Sequence, residues 1–225
     1  MTYKVRFLLL WVMILVLLTS CNISIPGLPG GAKTPPGTLI YKGPTEEGIP
    51  VGGWMPGTDI RYLGPTREGA KVAIGDYTAI KKMGDSLDWE GEPASGVHVK
   101  LSQRVIFYNE EKLQVAGTAD IQVTGISPRA GSFKPAPSIR YRVPVTYNVK
   151  KGERIPGTVL VYKGKTAHGA ELGNIEGYPY RKTADSIVYE GYLRDNVKLR
   201  LDLRVAFFTE SSLQVAGLAL IGIQE

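Results

Sequence analysis

An internal repeat constrains this chain more than any other feature. When the sequence is set against itself at an offset of 100 residues, positions 56–123 align with 156–223 without a gap, and 26 of the 68 pairs are identical. The run Leu-Gln-Val-Ala-Gly occurs at 113–117 and again at 213–217. Two copies are fewer than the three that a solenoid needs, so the repeat predicts two similar domains in tandem.

The best-preserved part of each copy predicts a β-hairpin. Apolar and polar residues alternate over 97–107, four polar residues follow at 109–112, and the alternation resumes over 113–123. A period of two is typical of strands with one buried face, and a short polar segment between two such strands predicts a turn. Residues 197–223 repeat the whole pattern.

Shorter segments of the same kind, separated by Gly, Pro and polar residues, predict the other strands. They are 38–42 with 138–143, 59–63 with 159–163, 77–81, and 86–90 with 186–190. We therefore predict an all-β fold of two tandem similar domains, each a small antiparallel sandwich or partly open barrel of five to six strands. The predicted boundaries are 36–125 and 136–225, with a linker at 126–135. Residues 36–45 also resemble 156–166, either as a fragment of a third copy or as a similar strand and turn.

Composition excludes several classes of site. Cys21 is the only cysteine, which excludes an internal disulfide and a cysteine-rich metal site, and His98 and His168 are not at equivalent positions. No phosphate loop, dinucleotide fingerprint, calcium loop or serine-hydrolase elbow is present, so no cofactor or metal is predicted. The formal net charge is +6 and becomes +4 without Lys4 and Arg6, too small an excess to indicate nucleic acid as a partner.

The first residues have the pattern of a secretion signal. Lys4 and Arg6 precede an unbroken apolar run over 7–18. As a helix this run would be about 18 Å long, too short for a hydrocarbon core of about 30 Å. We therefore predict a signal peptide over 1–20 rather than a membrane span.

The run Leu18-Thr19-Ser20-Cys21 follows directly and resembles the lipobox of bacterial lipoproteins, in which a branched apolar residue and two small residues precede a cysteine. The resemblance covers the leader alone; an ordinary signal peptide followed by a chance cysteine is the alternative. It implies that Cys21 carries a diacylglycerol, that the leader is removed, and that the chain is held on the extracytoplasmic side of the cell membrane. Two or more acyl chains, at about 0.8 kcal/mol per buried CH2, give stable anchoring.

The residues after the cysteine indicate which membrane holds the chain and how the anchor is joined to the folded part. Asn22 lies where an Asp favours retention in the inner membrane of diderm bacteria, so the resemblance implies the outer membrane if the organism has one. Residues 21–35 are rich in Pro and Gly and predict a lipidated tether.

The connection between the copies is strongly basic. Residues 124–155 contain seven basic side chains and one acid, Glu153, a net charge of +6. Because the chain is expected at a membrane, this segment predicts contact with anionic lipid, cell-wall polymer or another envelope protein, and a solvated linker is the alternative. The candidate residues are Arg129, Lys134, Arg140, Arg142, Lys150, Lys151 and Arg154.

Aromatic residues divide into two predicted groups. Trp89 and Tyr189 are equivalent and share a face with apolar neighbours, which predicts core, with sugar stacking as the alternative. An exposed contact surface is predicted for the aromatics of loop-like stretches. These are Trp54, Tyr77, Tyr178 and Tyr180.

Charged residues that recur in both copies have a structural and a catalytic interpretation. Asp85 and Glu90 are five apart and could form an acid/base pair, as in glycoside hydrolysis. Positions five apart in a strand face opposite sides, however. We predict instead that Asp85 lies in a turn and that Glu90 or Glu110 pairs with Arg104 across strands. The recurrent mid-strand Gly117 predicts a bulge or a close backbone approach.

Together these features predict a membrane-anchored lipoprotein with a non-catalytic binding or structural role at the cell envelope. The alternative is an envelope polysaccharide-active enzyme whose site lies between the two domains. A cleft with paired, exposed carboxylates would favour the enzyme.

Overall fold

The computed structural model describes residues 36–132, 134 and 136–224, and within them the regular structure is entirely β. The first copy contains β1 Thr38–Pro50, β2 Ile60–Pro65, β3 Ala70–Ile74, β4 Tyr77–Lys81, β5 Trp89–Ala94, β6 Val97–Tyr108 and β7 Lys112–Thr124. The second contains β8 Arg129–Ala130, β9 Ile139–Lys150, β10 Val161–Thr166, β11 Gly169–Gly173, β12 Tyr180–Arg181, β13 Ser186–Arg194, β14 Val197–Phe208 and β15 Ser212–Ile223.

Each copy forms one large and one small antiparallel sheet. The large sheets have the orders β1-β7-β6-β5 and β8-β13-β14-β15-β9, and the small sheets have the orders β2-β3-β4 and β10-β11-β12. Within the described residues no sheet closes into a barrel. The predicted all-β, antiparallel and sandwich-like fold is confirmed.

The long hairpin is central to each large sheet, as the alternation predicted. Along β6 and β14 buried residues alternate with more exposed ones, because one face lies on the core. Both hairpins contain a bulge at the same place, between Val105 and Phe107 and between Val205 and Phe207. Each buried aliphatic side chain contributes about 1.5–3 kcal/mol, so the hairpins supply much of the stability of the core.

The small sheet is attached to the turn of its own hairpin. Tyr62 in β2 is fully buried, and its hydroxyl donates a hydrogen bond of 2.7 Å to the carbonyl oxygen of Asn109. Tyr162 in β10 donates the same bond to the carbonyl oxygen of Thr209. The duplicated tyrosine therefore holds the two sheets of each copy in the same relation.

The two copies meet where the edge strands β1 and β9 contact each other. A Cβ on Gly157 would lie 2.9 Å from the hydroxyl oxygen of Tyr41, which reaches across from the other copy. Reciprocally, the Tyr141 hydroxyl donates a hydrogen bond of 3.2 Å to the carbonyl oxygen of Pro56. The buried residues of both copies consequently form one continuous hydrophobic core.

The segment predicted as a linker, 126–135, contacts both copies. The Ile126 N–H donates to the carbonyl oxygen of Gly37 at 3.1 Å, and the Ser127 N–H donates to that of Leu193 at 2.7 Å. Strand β8 then pairs with β13. The described residues form a single compact unit.

Two features of the strands differ from the prediction. Strands β3, β8, β11 and β12 were not predicted, because they are only two to five residues long and β3 and β11 contain Ala and Gly, which are depleted in strands. With them the copies contain seven and eight strands. Strand β1 pairs with β7 as β9 pairs with β15, so residues 38–50 are the first strand of the first copy and not part of a third.

Candidate functional site

A concavity among the described residues lies where the copies meet. This inter-repeat cleft has a volume of about 680 Å³. Strand β1 contributes Glu46 and Glu47, and β9 contributes Arg140 and Arg142. The remaining wall is Pro44, Thr45, Ala116, Gly117 and Leu220. The lining of the cleft therefore contains two carboxylates and two guanidinium groups.

The two carboxylates differ in environment, because adjacent residues of a strand face opposite sides. Glu46 is exposed and accepts a hydrogen bond of 2.7 Å from the side-chain amide of Gln114. Burial raises the pKa of the Glu47 carboxyl, against the opposing effects of the Gly48 N–H and the charge of Arg140. Glu47 is thus the acid of the cleft that is suited to hold a proton.

The outer face of the second large sheet is the main basic surface. The register aligns Arg140, Gly222, Lys198, Tyr192 and Arg129 in one row that crosses all five strands. At about 4.8 Å between strands, the row is about 19 Å long. The adjacent row on the same face is Arg142, Leu220, Arg200 and Glu190.

Tyr192 organises one end of this row. The guanidinium carbon of Arg129 lies 4.6 Å from the Tyr192 ring centroid, and Nζ of Lys198 lies 5.7 Å from it. Cations at these distances are attracted by the ring quadrupole. Lys198 itself is only 1% exposed, so its charge lies against Tyr192 and is not presented to solvent.

The segment that follows β8 lies beside Tyr192 on this face. The Tyr192 hydroxyl donates to the carbonyl oxygen of Ser132 at 3.4 Å, and a Cβ on Gly131 would meet the Tyr192 ring. Lys134, two residues after Ser132, is exposed. We call the solvent-accessible cations of this side the basic face: Arg129, Lys134, Arg140, Arg142 and Arg200.

The structure does not bring all seven predicted basic residues together. Arg129, Lys134, Arg140 and Arg142 belong to the basic face. Lys150, Lys151 and Arg154, which we call the distal group, lie at and just beyond the other end of β9. Ten residues of strand separate Arg140 from Lys150, about 33 Å. In the distal group, Lys151 pairs with Glu210, and the Lys150 N–H donates to Glu153 Oε2 at 3.2 Å.

Acids on the outer face of the second copy are engaged by arginine. Arg200 contacts Glu190 at 2.6 Å and Asp202 at 3.1 Å, and Arg129 contacts Asp195 at 2.8 Å. Neither Arg140 nor Arg142 makes a salt bridge with any carboxylate in the described part of the chain. Unlike Arg129 and Arg200, these two arginines are therefore not engaged by an acid of the described ranges.

The two copies also differ in overall charge. Residues 36–125 contain 9 Lys and Arg against 12 Asp and Glu, whereas residues 126–225 contain 15 against 9. On the outer face of the first copy, Lys42 pairs with Asp120 at 3.2 Å, and Lys100 pairs with Glu90 at 2.9 Å. The excess positive charge is thus a property of the second copy.

The predicted aromatic residues form two small groups. Tyr178 and Tyr180 contact each other edge to face, with ring centroids 5.4 Å apart. Trp54 lies under the guanidinium of Arg61 at 5.6 Å, and Tyr77 is 81% exposed. No ring contact among the described residues joins the first pair to Trp54 or Tyr77.

The recurrent charged residues mostly follow the structural interpretation. Asp85 Oδ2 accepts a hydrogen bond of 2.8 Å from the Lys82 N–H, so Asp85 lies in a turn as predicted. The predicted partner of Glu90 was wrong: Lys100 is directly opposite on β6, while Arg104 donates to the carbonyl oxygen of Gly84 at 2.9 Å. The pairing register, which the prediction lacked, decides this choice.

The core prediction for the equivalent aromatics agrees with their burial. Tyr189 is buried, and Trp89 is partly buried and packs against the core. Cys21 and the rest of the predicted leader and tether lie outside the described residues.

Sequence reasoning missed Glu46, Glu47, Tyr192 and Arg200. The sequence could in principle have identified Arg200, because it occupies an outward position of an alternating strand. It could not have identified Glu47, since the burial of that residue arises where the second copy meets β1.

No group of three or more His, Cys, Asp and Glu side chains suited to a metal ion occurs in the described ranges. The same ranges contain no helix long and apolar enough to cross a membrane. Comparisons with protein-family models, with curated proteins and with solved structures found no match.

Proposed function

We propose that this protein is a lipid-anchored, extracytoplasmic component of the cell envelope and that its folded part binds an anionic envelope surface without catalysis. The observation that carries the binding role is the basic face, where residues distant in sequence come together on one side of a sheet. The anchor rests on the resemblance of residues 18–21 to a lipobox. Anionic lipid, cell-wall polymer or an acidic envelope protein would each fit a face of this charge.

The anchor is tested by Cys21→Ala in cells. The wild type should fractionate with membranes and incorporate labelled fatty acid, whereas the variant should be released or remain unprocessed. Equal membrane fractionation of both proteins, with no labelling of the wild type, would reject the lipoprotein assignment.

The binding role is tested by co-sedimentation of the protein without its lipid anchor with purified cell envelopes. Arg140→Glu/Arg142→Glu should lose retention, and raised salt should release the wild type, because exposed charges are screened over about 8 Å at physiological ionic strength. Lys150→Glu/Arg154→Glu makes the same net change of charge in the distal group and serves as the control. Equal, salt-independent retention of all three proteins would reject binding by the basic face.

The inter-repeat cleft favours a second candidate, a polysaccharide-active enzyme. Glu47 has a raised pKa, as a general acid requires, and Glu46 is the neighbouring carboxylate. Loss of hydrolysis of an envelope polysaccharide in Glu47→Gln, with the fold intact, would support this candidate. We favour binding because the two carboxylates occupy opposite faces of β1 and so do not form one acid/base pair.

A further inference from the structure

The described chain begins beside the strand that starts the basic face. The carbonyl oxygen of Gly37 accepts a hydrogen bond of 3.1 Å from the Ile126 N–H. Three residues further on, at most about 11 Å along the chain, is Arg129 in β8. An anchor on the chain before residue 36 would therefore be joined to the folded part next to this end of the second large sheet.

The length of the preceding chain limits how far this end can lie from Cys21. Fourteen residues, 22–35, separate Cys21 from the described part. Fully extended, they would span at most about 50 Å. A lipid on Cys21 would therefore keep residue 36, beside β8, within about 50 Å of the bilayer to which that lipid belongs.

The distal group is at the other end of the same sheet. Lys150 is paired in register with Ser212, beside the tip of the second hairpin, whereas Ile139 is paired with Ile223 at the end where β8 lies. One molecule thus has two basic groups, of five and three cations, and only the larger lies near the point where the tether enters. This arrangement supplies an internal control.

We propose that the basic face docks on the anionic headgroups of the same membrane that holds Cys21, so that the folded part lies against the bilayer in one orientation. This inference rests on the lipid anchor of the proposed function and deepens it by naming the partner. Arg140 and Arg142, which make no salt bridge among the described residues, supply the charge, and Arg129 extends the surface toward the tether. Each cation near an anionic surface strengthens binding about fivefold, and a tether that keeps surface and face together adds to this.

The test measures orientation on the mature, lipidated full chain. Because Cys21 is the only native cysteine and its thiol is acylated, one introduced cysteine can be labelled specifically. Ser138→Cys places a fluorophore beside the basic face, and Ser211→Cys places it at the hairpin tip near Lys151; both serines are exposed. Each labelled protein is reconstituted into vesicles that contain headgroup-quencher lipid, with phosphatidylcholine alone or with 30% phosphatidylglycerol.

We expect quenching at position 138 in the anionic vesicles, at least threefold stronger than at 211, and its loss in phosphatidylcholine or at high salt. Arg140→Glu/Arg142→Glu should abolish the difference between the positions, while Lys150→Glu/Arg154→Glu should preserve it. Thermal unfolding of each variant checks that the fold is retained.

Three results would overturn the inference. They are equal quenching at both positions, equal quenching in both lipids, and equal effects of the two double reversals. A protein that is anchored but shows any of these, while binding purified cell-wall polymer through the basic face, would retain the proposed function and reject membrane docking. A protein that carries no lipid would reject the anchor itself. Fatty-acid labelling detects this failure independently of the vesicle experiment.

Discussion

At the residue scale, one turn occurs in both copies with a different residue at its position of positive φ. The turn before β5 and its counterpart before β13 each have one residue with positive φ, Gly84 at 88° and Ala184 at 71°. In both, the carbonyl of that residue accepts a hydrogen bond of 2.9 Å from an arginine, Arg104 or Arg204. An L-residue in this region is strained, whereas glycine is not.

Exchanging the two residues should therefore change stability in opposite directions. Ala184→Gly should raise the free energy of unfolding by about 1 kcal/mol, and Gly84→Ala should lower it by a similar amount. A Cβ on Gly84 would meet no atom within 4 Å, so its cost would come from the backbone alone. Urea unfolding of both variants measures the changes; a stabilising Gly84→Ala would contradict the account.

Glu47 should make the stability of the protein depend on pH. Because burial raises the pKa of its carboxyl in the folded state, the native protein holds this proton more tightly than the unfolded chain. The Glu47 contribution to stability is therefore present at low pH and is lost as pH rises from the ordinary pKa through the raised one.

Glu47→Gln should consequently stabilise the protein at pH 7, with a difference from wild type that shrinks toward zero as pH falls below about 4. The measurement is the free energy of unfolding across this range. Glu46→Gln, one residue away on the exposed side, controls for the loss of a negative charge. A destabilised Glu47→Gln at pH 7 would mean that attraction to Arg140 exceeds the cost of burial.

At the scale of the element, the hairpin requires glycine at one position of its second strand. A Cβ on Gly117 would overlap the carbonyl oxygen of Ser102, and one on Gly217 would overlap that of Asp202. The predicted close backbone approach is confirmed, and it explains why both copies keep a residue that otherwise weakens a strand. The contact is with backbone, which cannot move aside as a flexible side chain can.

Gly117→Ala should therefore lower the free energy of unfolding by about 2–3 kcal/mol, in the range of an overpacked core. Gly48→Ala is the control: it also lies in a strand, and its added Cβ would meet first the flexible end of Gln114 at 3.2 Å. Thermal unfolding of the two variants distinguishes them. Similar melting temperatures would show that the hairpin can relax around the new methyl group.

At the scale of the whole molecule, the copies are similar units that share one core. Tyr41 of the first copy is 2% exposed beside Gly157 of the second, and Tyr141 is 6% exposed beside Pro56 of the first. Each copy nevertheless has its own large sheet, small sheet and hairpin. Three or more strands with an apolar face are enough for independent stability.

Fragments 36–125 and 136–225 should each fold, but with lower stability than the same copy in the intact chain, because separation exposes Tyr41 and Tyr141. Circular dichroism and urea unfolding of each fragment measure this, and mixing the fragments should restore part of the loss. If neither fragment unfolds cooperatively, the copies are one folding unit and the predicted division into domains fails.

The sequence by itself determined the β class, the hairpins, the duplication and the turn at Asp85, because each of them follows from a pattern of residue types along the chain. Alternation with a period of two defines the buried face of a strand, and Gly, Pro and Asp define where it ends. Arg140 and Arg142 could even be placed on one face from their spacing. A repeat at constant offset then transfers every local conclusion from one copy to the other.

The tertiary structure alone decided which of these faces meet. It joined Lys134 and Arg200 to Arg129, Arg140 and Arg142, and it separated the distal group from them by about 33 Å of strand. It also half-buried Glu47 and packed Tyr41 and Tyr141 each against the other copy. Strand order, register and the contact of β1 with β9 are set by pairings between residues far apart in the chain, and a local period carries no information about the partner of a strand.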